Sequence, residues 1–147
     1  MAQIKPITIE AIKYLAHGLA IKMMTYDEQI PVFDTRFPNV LESCVAVPFQ
    51  KYDQKLLYKG LASKGAVLFY LLIKNHPFQN GNKRIAVTTL LVFLYINDKW
   101  LEVDNAVLYN TALWVARSPA EAKDEMISYM KKFITQNLTD FNKNNPD

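Results

Sequence analysis

Nine residues, 76–84, bring together the side chains of this sequence that are best suited to chemistry; they read His-Pro-Phe-Gln-Asn-Gly-Asn-Lys-Arg. Histidine gains and loses a proton readily near neutral pH, so His76 could take a proton from an attacking hydroxyl. Gly81 permits the backbone conformation of a tight turn. If a helix begins at Lys83 and Arg84, its first amide N–H groups have no partner inside the helix. Those amides, the helix dipole and the two cations predict a phosphate-binding site.

The two cations strengthen this interpretation. Each cation in the first turn of a helix opposes the dipole by about 0.3–1 kcal/mol, so two in succession predict a compensating anion. Arg84 can hold a phosphate through two parallel hydrogen bonds, whereas Lys83 acts as a point charge. Phe78 lies among polar neighbours, and we expect it to be buried as an anchor that holds this loop on the rest of the domain.

The bulk properties indicate a single domain over residues 1–147, with a polar tail at 142–147 that we expect to be frayed. A net charge of +3 is too small to predict nucleic-acid binding. The single cysteine, Cys44, excludes an internal disulfide and lies in an apolar stretch, which favours a buried side chain and a reducing, cytoplasmic location. No signal peptide or membrane-spanning stretch is apparent, so we expect no membrane association.

Helical periodicity and capping signals predict most of the secondary structure. The expected helices run from Thr8 to about Met24, from Pro38 to Pro48, from Asp53 to about Asn75, from Asp104 to Arg117, and from a Ser118 cap to about Leu138. The apolar run 85–96 could be a fully buried helix, or a strand that turns at 97–99 into 100–103. Residues 27–37 are expected to form a short extended segment or hairpin, and His17 is interpreted as structural or surface-exposed.

The segment 76–84 resembles the signature of the Fic/Doc family. The Doc (death-on-curing) form reads close to His-Pro-Phe-x-Asp-Gly-Asn-Lys-Arg, and this chain differs from it at Asn80, where the family has an acid. The matching positions are His76, Pro77, Phe78, Gly81, Asn82, Lys83 and Arg84. A weaker likeness lies in 39–48, which resembles the family's Gly-Leu-Leu-Glu-Ser-Ala-Leu-Ala-x-Pro stretch. The resemblance extends over about residues 7–98.

This resemblance implies an all-α Fic/Doc helical bundle, in which 85–96 is the central helix and 27–37 is a small extended flap that docks the target's backbone. It also implies that His76 is catalytic and that the turn after Phe78 binds the phosphates of ATP. The implied phosphate-binding residues are Gly81, Asn82, Lys83 and Arg84.

The Doc form implies a toxin that transfers the terminal phosphate of ATP to a hydroxyl of a target protein, such as a translation elongation factor, and that is covered by a cognate antitoxin. Fic proteins with the full pattern transfer AMP instead; they have glycine at the place of Lys83 and arginine at the place of Val87. The family's acid at the place of Asn80 holds Mg²⁺. Because an amide brings no charge to a hard cation, a catalytically weakened protein that binds only a nucleotide or a partner is a third alternative.

Overall fold

The computed structural model describes residues 3–23 and 29–141 of the chain. Within these residues the fold has six α-helices and two short antiparallel strand pairs. The helices are α1 (9–23), α2 (Pro38–Ala46), α3 (Leu61–Lys74), α4 (Asn82–Ile96), α5 (Asn105–Arg117) and α6 (Lys123–Asn137). The all-α prediction is therefore confirmed.

Helix α1 begins where the sequence predicts and contains an irregular stretch. The Thr8 side chain accepts a hydrogen bond from the amide of Ala11 at 3.0 Å, which caps the helix start. The helix then passes through π-helical Ile12–Ala16 into α-helical His17–Met23. Thr88 of α4 donates its hydroxyl to the carbonyl of Ala16 at 2.7 Å, which joins the irregular stretch to the centre of the fold. The predicted end at Met24 lies outside the described residues.

Helices α3 and α4 form the centre of the domain. Residues 63–73 of α3 and 84–94 of α4 are all buried, because both helices are apolar on nearly every face. Helix α3 packs against α4 and α6, and α4 also packs against α1 and α5. A Cβ at Gly65 would lie 3.1 Å from Leu90 Cδ1 and 3.3 Å from Ile134 Cδ1, so glycine permits the close approach of three helices. The ambiguity over 85–96 is resolved in favour of a central helix.

The predicted helix start at Asp53 is wrong. Strands β1 (Lys51–Tyr52) and β2 (Lys55–Leu56) form a small hairpin, and Asp53 and Gln54 make its turn at positive φ angles of 51° and 64°. Two-residue hairpin loops favour such angles, and aspartate adopts them more readily than most residues. Helix α3 begins only after Gly60.

The predicted cap at Ser118 is also wrong. Its hydroxyl donates backwards to the carbonyl of Val115 at 2.6 Å and so belongs to the end of α5. A 3₁₀ turn, Ala120–Ala122, then leads into α6. Strand β3 (Lys99–Leu101) does follow a turn, as the strand alternative supposed, but it pairs with β4 (Leu138–Asp140) after α6 and not with residues 85–96.

The segment 29–37 crosses the molecule between α1 and α2. Its described residues form no paired strand, and a single 3₁₀ turn at Phe33–Thr35 replaces the expected hairpin. Residues 27 and 28 of the predicted flap, and the tail 142–147, lie outside the described residues. Cys44 is fully buried, as predicted. None of the helices in the described residues is long and apolar enough to cross a membrane.

Candidate active site

The loop 75–81 joins the two central helices and carries the predicted catalytic residue. His76 lies just beyond the end of α3, its side chain is exposed, and its backbone adopts a φ of +51°. Positive φ is uncommon outside glycine, although histidine is among the residues that adopt it more often. Such a conformation costs free energy and persists only where surrounding contacts hold it.

Asn82 supplies the contacts that close the loop. Its Oδ1 accepts from the amide of Phe78 at 2.9 Å, and its Nδ2 donates to the carbonyl of Phe78 at 2.8 Å. The same Nδ2 lies 3.5 Å from Nδ1 of His76. The Asn82 side chain therefore shapes the loop, and the role of Asn82 in binding phosphate stays a prediction.

Phe78 is the anchor that the sequence predicts. Its side chain is 3% exposed, and its ring packs against those of His17 and Phe33 at centroid distances of 6.1 Å and 5.7 Å. Because burying a phenylalanine stabilises by about 1.5–3 kcal/mol, this contact offsets the strained backbone two residues earlier.

No side chain caps the N-terminus of α4. Gly81 precedes the helix at a φ of +78° and has no side chain to cap the first amides. Lys83 is half-buried beside them. Arg84 is only 4% exposed, so its guanidinium lies within the protein rather than on the solvated face that a first-turn position suggests. The helix has 15 residues, enough for a full dipole at its start.

Asn80, the position predicted to hold Mg²⁺, uses its side chain within the turn. Its Oδ1 accepts a hydrogen bond from the amide of Gly81 at 2.8 Å, and the neutral amide brings no charge to a cation. The part of the chain that the structure describes contains no group of three or more His, Cys, Asp or Glu side chains that could hold a metal. Asn80 would therefore bring only a neutral oxygen to Mg²⁺, and the phosphates of ATP would have to carry the ion.

Segment 29–37 covers the loop from one side. A Cβ at Gly81 would lie 2.8 Å from Cγ1 of Ile30, and the amide of Phe37 donates to the carbonyl of Pro77 at 2.8 Å. Sequence reasoning identified neither Ile30 nor His17 as part of the site. Only the three-dimensional structure brings them to the loop, since both lie 45 or more residues before it in the sequence.

On the other side of His76 a cavity of about 410 Å³ opens between α3 and the junction of α5 with α6. Tyr70, Lys74 and Lys123 line it together with His76. Burial raises the pKa of Tyr70, and the nearby Asp124 carboxylate raises it further, so the phenol stays protonated at neutral pH. The Nζ of Lys74 donates to the carbonyl of Ser118, which fixes the wall of the cavity.

Comparison with known proteins gives one match. The family model described as Fic/DOC family matches residues 6–94, which include α1, segment 29–37, the loop 75–81 and most of α4. Comparison with curated proteins and with solved structures finds no significant match. The matched region is more than half of the chain and contains the loop 75–81, the start of α4 and segment 29–37. The chain therefore belongs to the Fic/DOC family, whose members are commonly transferases acting on nucleotides and proteins.

Proposed function

We propose that this protein transfers the terminal phosphate of ATP to a hydroxyl of a target protein. The observation that carries this proposal is the pairing of an exposed, conformationally held His76 with the uncapped N-terminus of α4. Phosphoryl transfer needs a general base and a site that binds the phosphates. His76 would supply the base, and the N-terminus of α4, six residues later, would bind the phosphates.

The chemistry follows from these positions. A ring nitrogen of His76 takes the proton of a serine, threonine or tyrosine hydroxyl. The hydroxyl oxygen forms a bond to the terminal phosphorus of ATP as the bond from that phosphorus to its bridging oxygen breaks, and ADP leaves. The first amides of α4, with Lys83 and Arg84, hold the phosphates and stabilise the charge that develops on them.

Two positions favour phosphate transfer over AMP transfer. Val87 stands where the AMP-transferring pattern has an arginine, and it is fully buried in the helix core. Lys83 stands where that pattern has glycine, which places a cation at the start of α4. In this role the protein would act in the cytoplasm as a toxin, with a translation elongation factor as the kind of target and a cognate antitoxin as its regulator.

Asn80 favours a second candidate, a protein that binds a nucleotide or a partner without catalysis. Its amide oxygen already accepts from Gly81, and an amide brings no charge to a magnesium ion. If the protein is a phosphotransferase, the phosphates of ATP carry the metal, and Asn80 shapes the turn.

The test is incubation of the protein with a lysate and ATP labelled at the α or the γ phosphate. Label retained on a protein only from γ-labelled ATP supports phosphotransfer, and label from α-labelled ATP supports AMP transfer. ATP that binds in calorimetry but labels nothing supports the binding-only candidate.

His76→Ala should abolish labelling and keep a cooperative thermal transition. Lys83→Gln should weaken ATP binding about tenfold, the scale of one charge-assisted hydrogen bond. Lys51→Gln, which removes an exposed lysine in β1, is the matched control and should leave ATP binding unchanged. Equal effects of the two lysine substitutions would mean that the N-terminus of α4 is not the phosphate site.

A further inference from the structure

His17 lies beneath the active-site loop and is not explained by the chemistry above. Its side chain is 7% exposed, and its Nε2 lies 2.9 Å from the carbonyl oxygen of Pro31, to which it donates. Its ring meets that of Phe33 edge-on at 5.5 Å and that of Phe78 at 6.1 Å. One side chain of α1 therefore contacts segment 29–37 and the catalytic loop at once.

Segment 29–37 is joined to the loop at three further places. Ile30 packs on the turn at Gly81, the ring of Phe33 packs on that of Phe78, and the amide of Phe37 donates to the carbonyl of Pro77. Each of these contacts falls within two residues of His76 or within three residues of the start of α4. The segment therefore supports the loop from outside, in addition to the hydrogen bonds that Asn82 makes within it.

Besides the ring contact of His17 with Phe33, two polar contacts among the described residues join the segment to α1, one part-buried and one exposed. The exposed contact is the Lys13–Asp34 ion pair at 3.8 Å, in which Asp34 is largely solvated. Ion pairs of this kind contribute little, because water screens them and ordering the side chains costs entropy. The hydrogen bond from His17 to Pro31 is part-buried and is less screened by water than the ion pair, so we expect it to be the stronger of the two.

We propose that His17 is a positioning residue, which fixes segment 29–37 and thereby holds His76 in its strained conformation. Because His17 acts through Phe78, Phe33 and the backbone of Pro31, it is not a catalytic residue. Its effect on transfer rests on the function proposed above, whereas the anchoring of the segment does not.

Two substitutions separate the parts of the His17 side chain. His17→Phe keeps an aromatic ring in the cluster and removes the N–H donor. His17→Gln removes the ring and keeps an N–H that can reach the carbonyl of Pro31. The matched control is Thr88→Val, which also removes one buried hydrogen bond to α1, at Ala16, but does not involve the segment.

The direct readout is amide hydrogen exchange by NMR, with the Phe37 amide as the probe because its partner is the carbonyl of Pro77. We expect the exchange of this amide to be about tenfold faster in His17→Phe than in wild type, and to be largely restored in His17→Gln. In Thr88→Val the amides of α1 and α4 should exchange faster, with no selective change at Phe37.

The kinetic readout is the split between kcat and KM for transfer. His17→Phe should lower kcat about fivefold and leave the KM for ATP within twofold, since the amides of α4 that hold the phosphates remain in place. His17→Gln should recover most of kcat.

Unchanged Phe37 exchange in His17→Phe, or an equal increase in Thr88→Val, would overturn the anchoring role. Faster Phe37 exchange with an unchanged kcat would overturn the positioning role. If no form of the protein, wild type included, transfers a group, the function proposed above fails, and the exchange data still decide whether His17 anchors the segment.

Discussion

Replacing Gly81 with alanine tests the link between the turn and segment 29–37. The backbone φ of +78° costs an ordinary residue about 1–2 kcal/mol. The new Cβ would also lie 2.8 Å from Cγ1 of Ile30, and crowding of this kind costs about 1–3 kcal/mol. We therefore expect Gly81→Ala to lower the free energy of unfolding by about 2–5 kcal/mol, which for a domain of this size corresponds to a fall in Tm of roughly 6–15 °C.

The measurement is urea denaturation followed by circular dichroism, in wild type and in the Ile30→Ala background. Ile30→Ala removes the crowding atoms, so Gly81→Ala should cost only the conformational part, about 1–2 kcal/mol, in that background. Gly18→Ala is the control for replacing a glycine with alanine at a position without strain or crowding. Gly18 lies in helical backbone with nothing within 4 Å of an added Cβ, and alanine should stabilise there by about 0.5–1 kcal/mol.

A loss of less than about 1 kcal/mol for Gly81→Ala would refute the strain argument, because even the conformational cost alone exceeds it. A full loss that persists undiminished in the Ile30→Ala background would refute the proposed contact between the segment and the turn.

Three further predictions concern single groups. Asn80→Asp should raise the transfer rate at low Mg²⁺, because a carboxylate brings charge to a hard cation; superimposable magnesium titrations of the two proteins would contradict this. Thr89→Val should raise the free energy of unfolding by about 1–2 kcal/mol in urea denaturation, because the Thr89 hydroxyl is buried with no hydrogen-bond partner among the described residues; a loss of stability would show that the hydroxyl is satisfied. Burial raises the pKa of the Cys44 thiol from 9.0 to about 11, against a smaller lowering by a hydrogen bond with Asn75. Above pH 9 the unfolded thiol ionises and the folded one does not, so stability should fall as pH rises through this window, and more steeply in wild type than in Cys44→Ala; parallel pH profiles would refute the shift.

Sequence reasoning succeeded where the signal is local. Signals from neighbouring residues predict the helix cap at Thr8, the end of a helix before His76 and a loop over 75–81. The structure has all three at the predicted places. The all-apolar run 85–96 was different. Periodicity alone left helix and strand open, and only the family resemblance selected the helix.

The failures come from competing local signals and from contacts distant in sequence. Asp53 is as suitable for a hairpin turn as for a helix cap. Gly60 has a positive φ of 84°, which is not helical, so the helix begins after Gly60 and Asp53 lies in the hairpin turn. The Ser118 hydroxyl can cap the next helix or bond to the end of the previous one, and in the structure it donates to the carbonyl of Val115. The role of His17 depends on Pro31 and Phe78, which no periodic pattern connects to it.

The π-helical stretch Ile12–Ala16 has a consequence for how this helix is compared with others. A π-helical turn accommodates one residue more than an α-helical turn, and one residue rotates a helix by about 100°. The stretch therefore accommodates one inserted residue, and the helix on either side of it keeps its position in the fold. Deleting a single residue between Ile12 and Ala16 should therefore restore a regular helix and leave His17 facing Pro31. In a relative that lacks the insertion, the residue equivalent to His17 in space would occupy a different position in a sequence alignment.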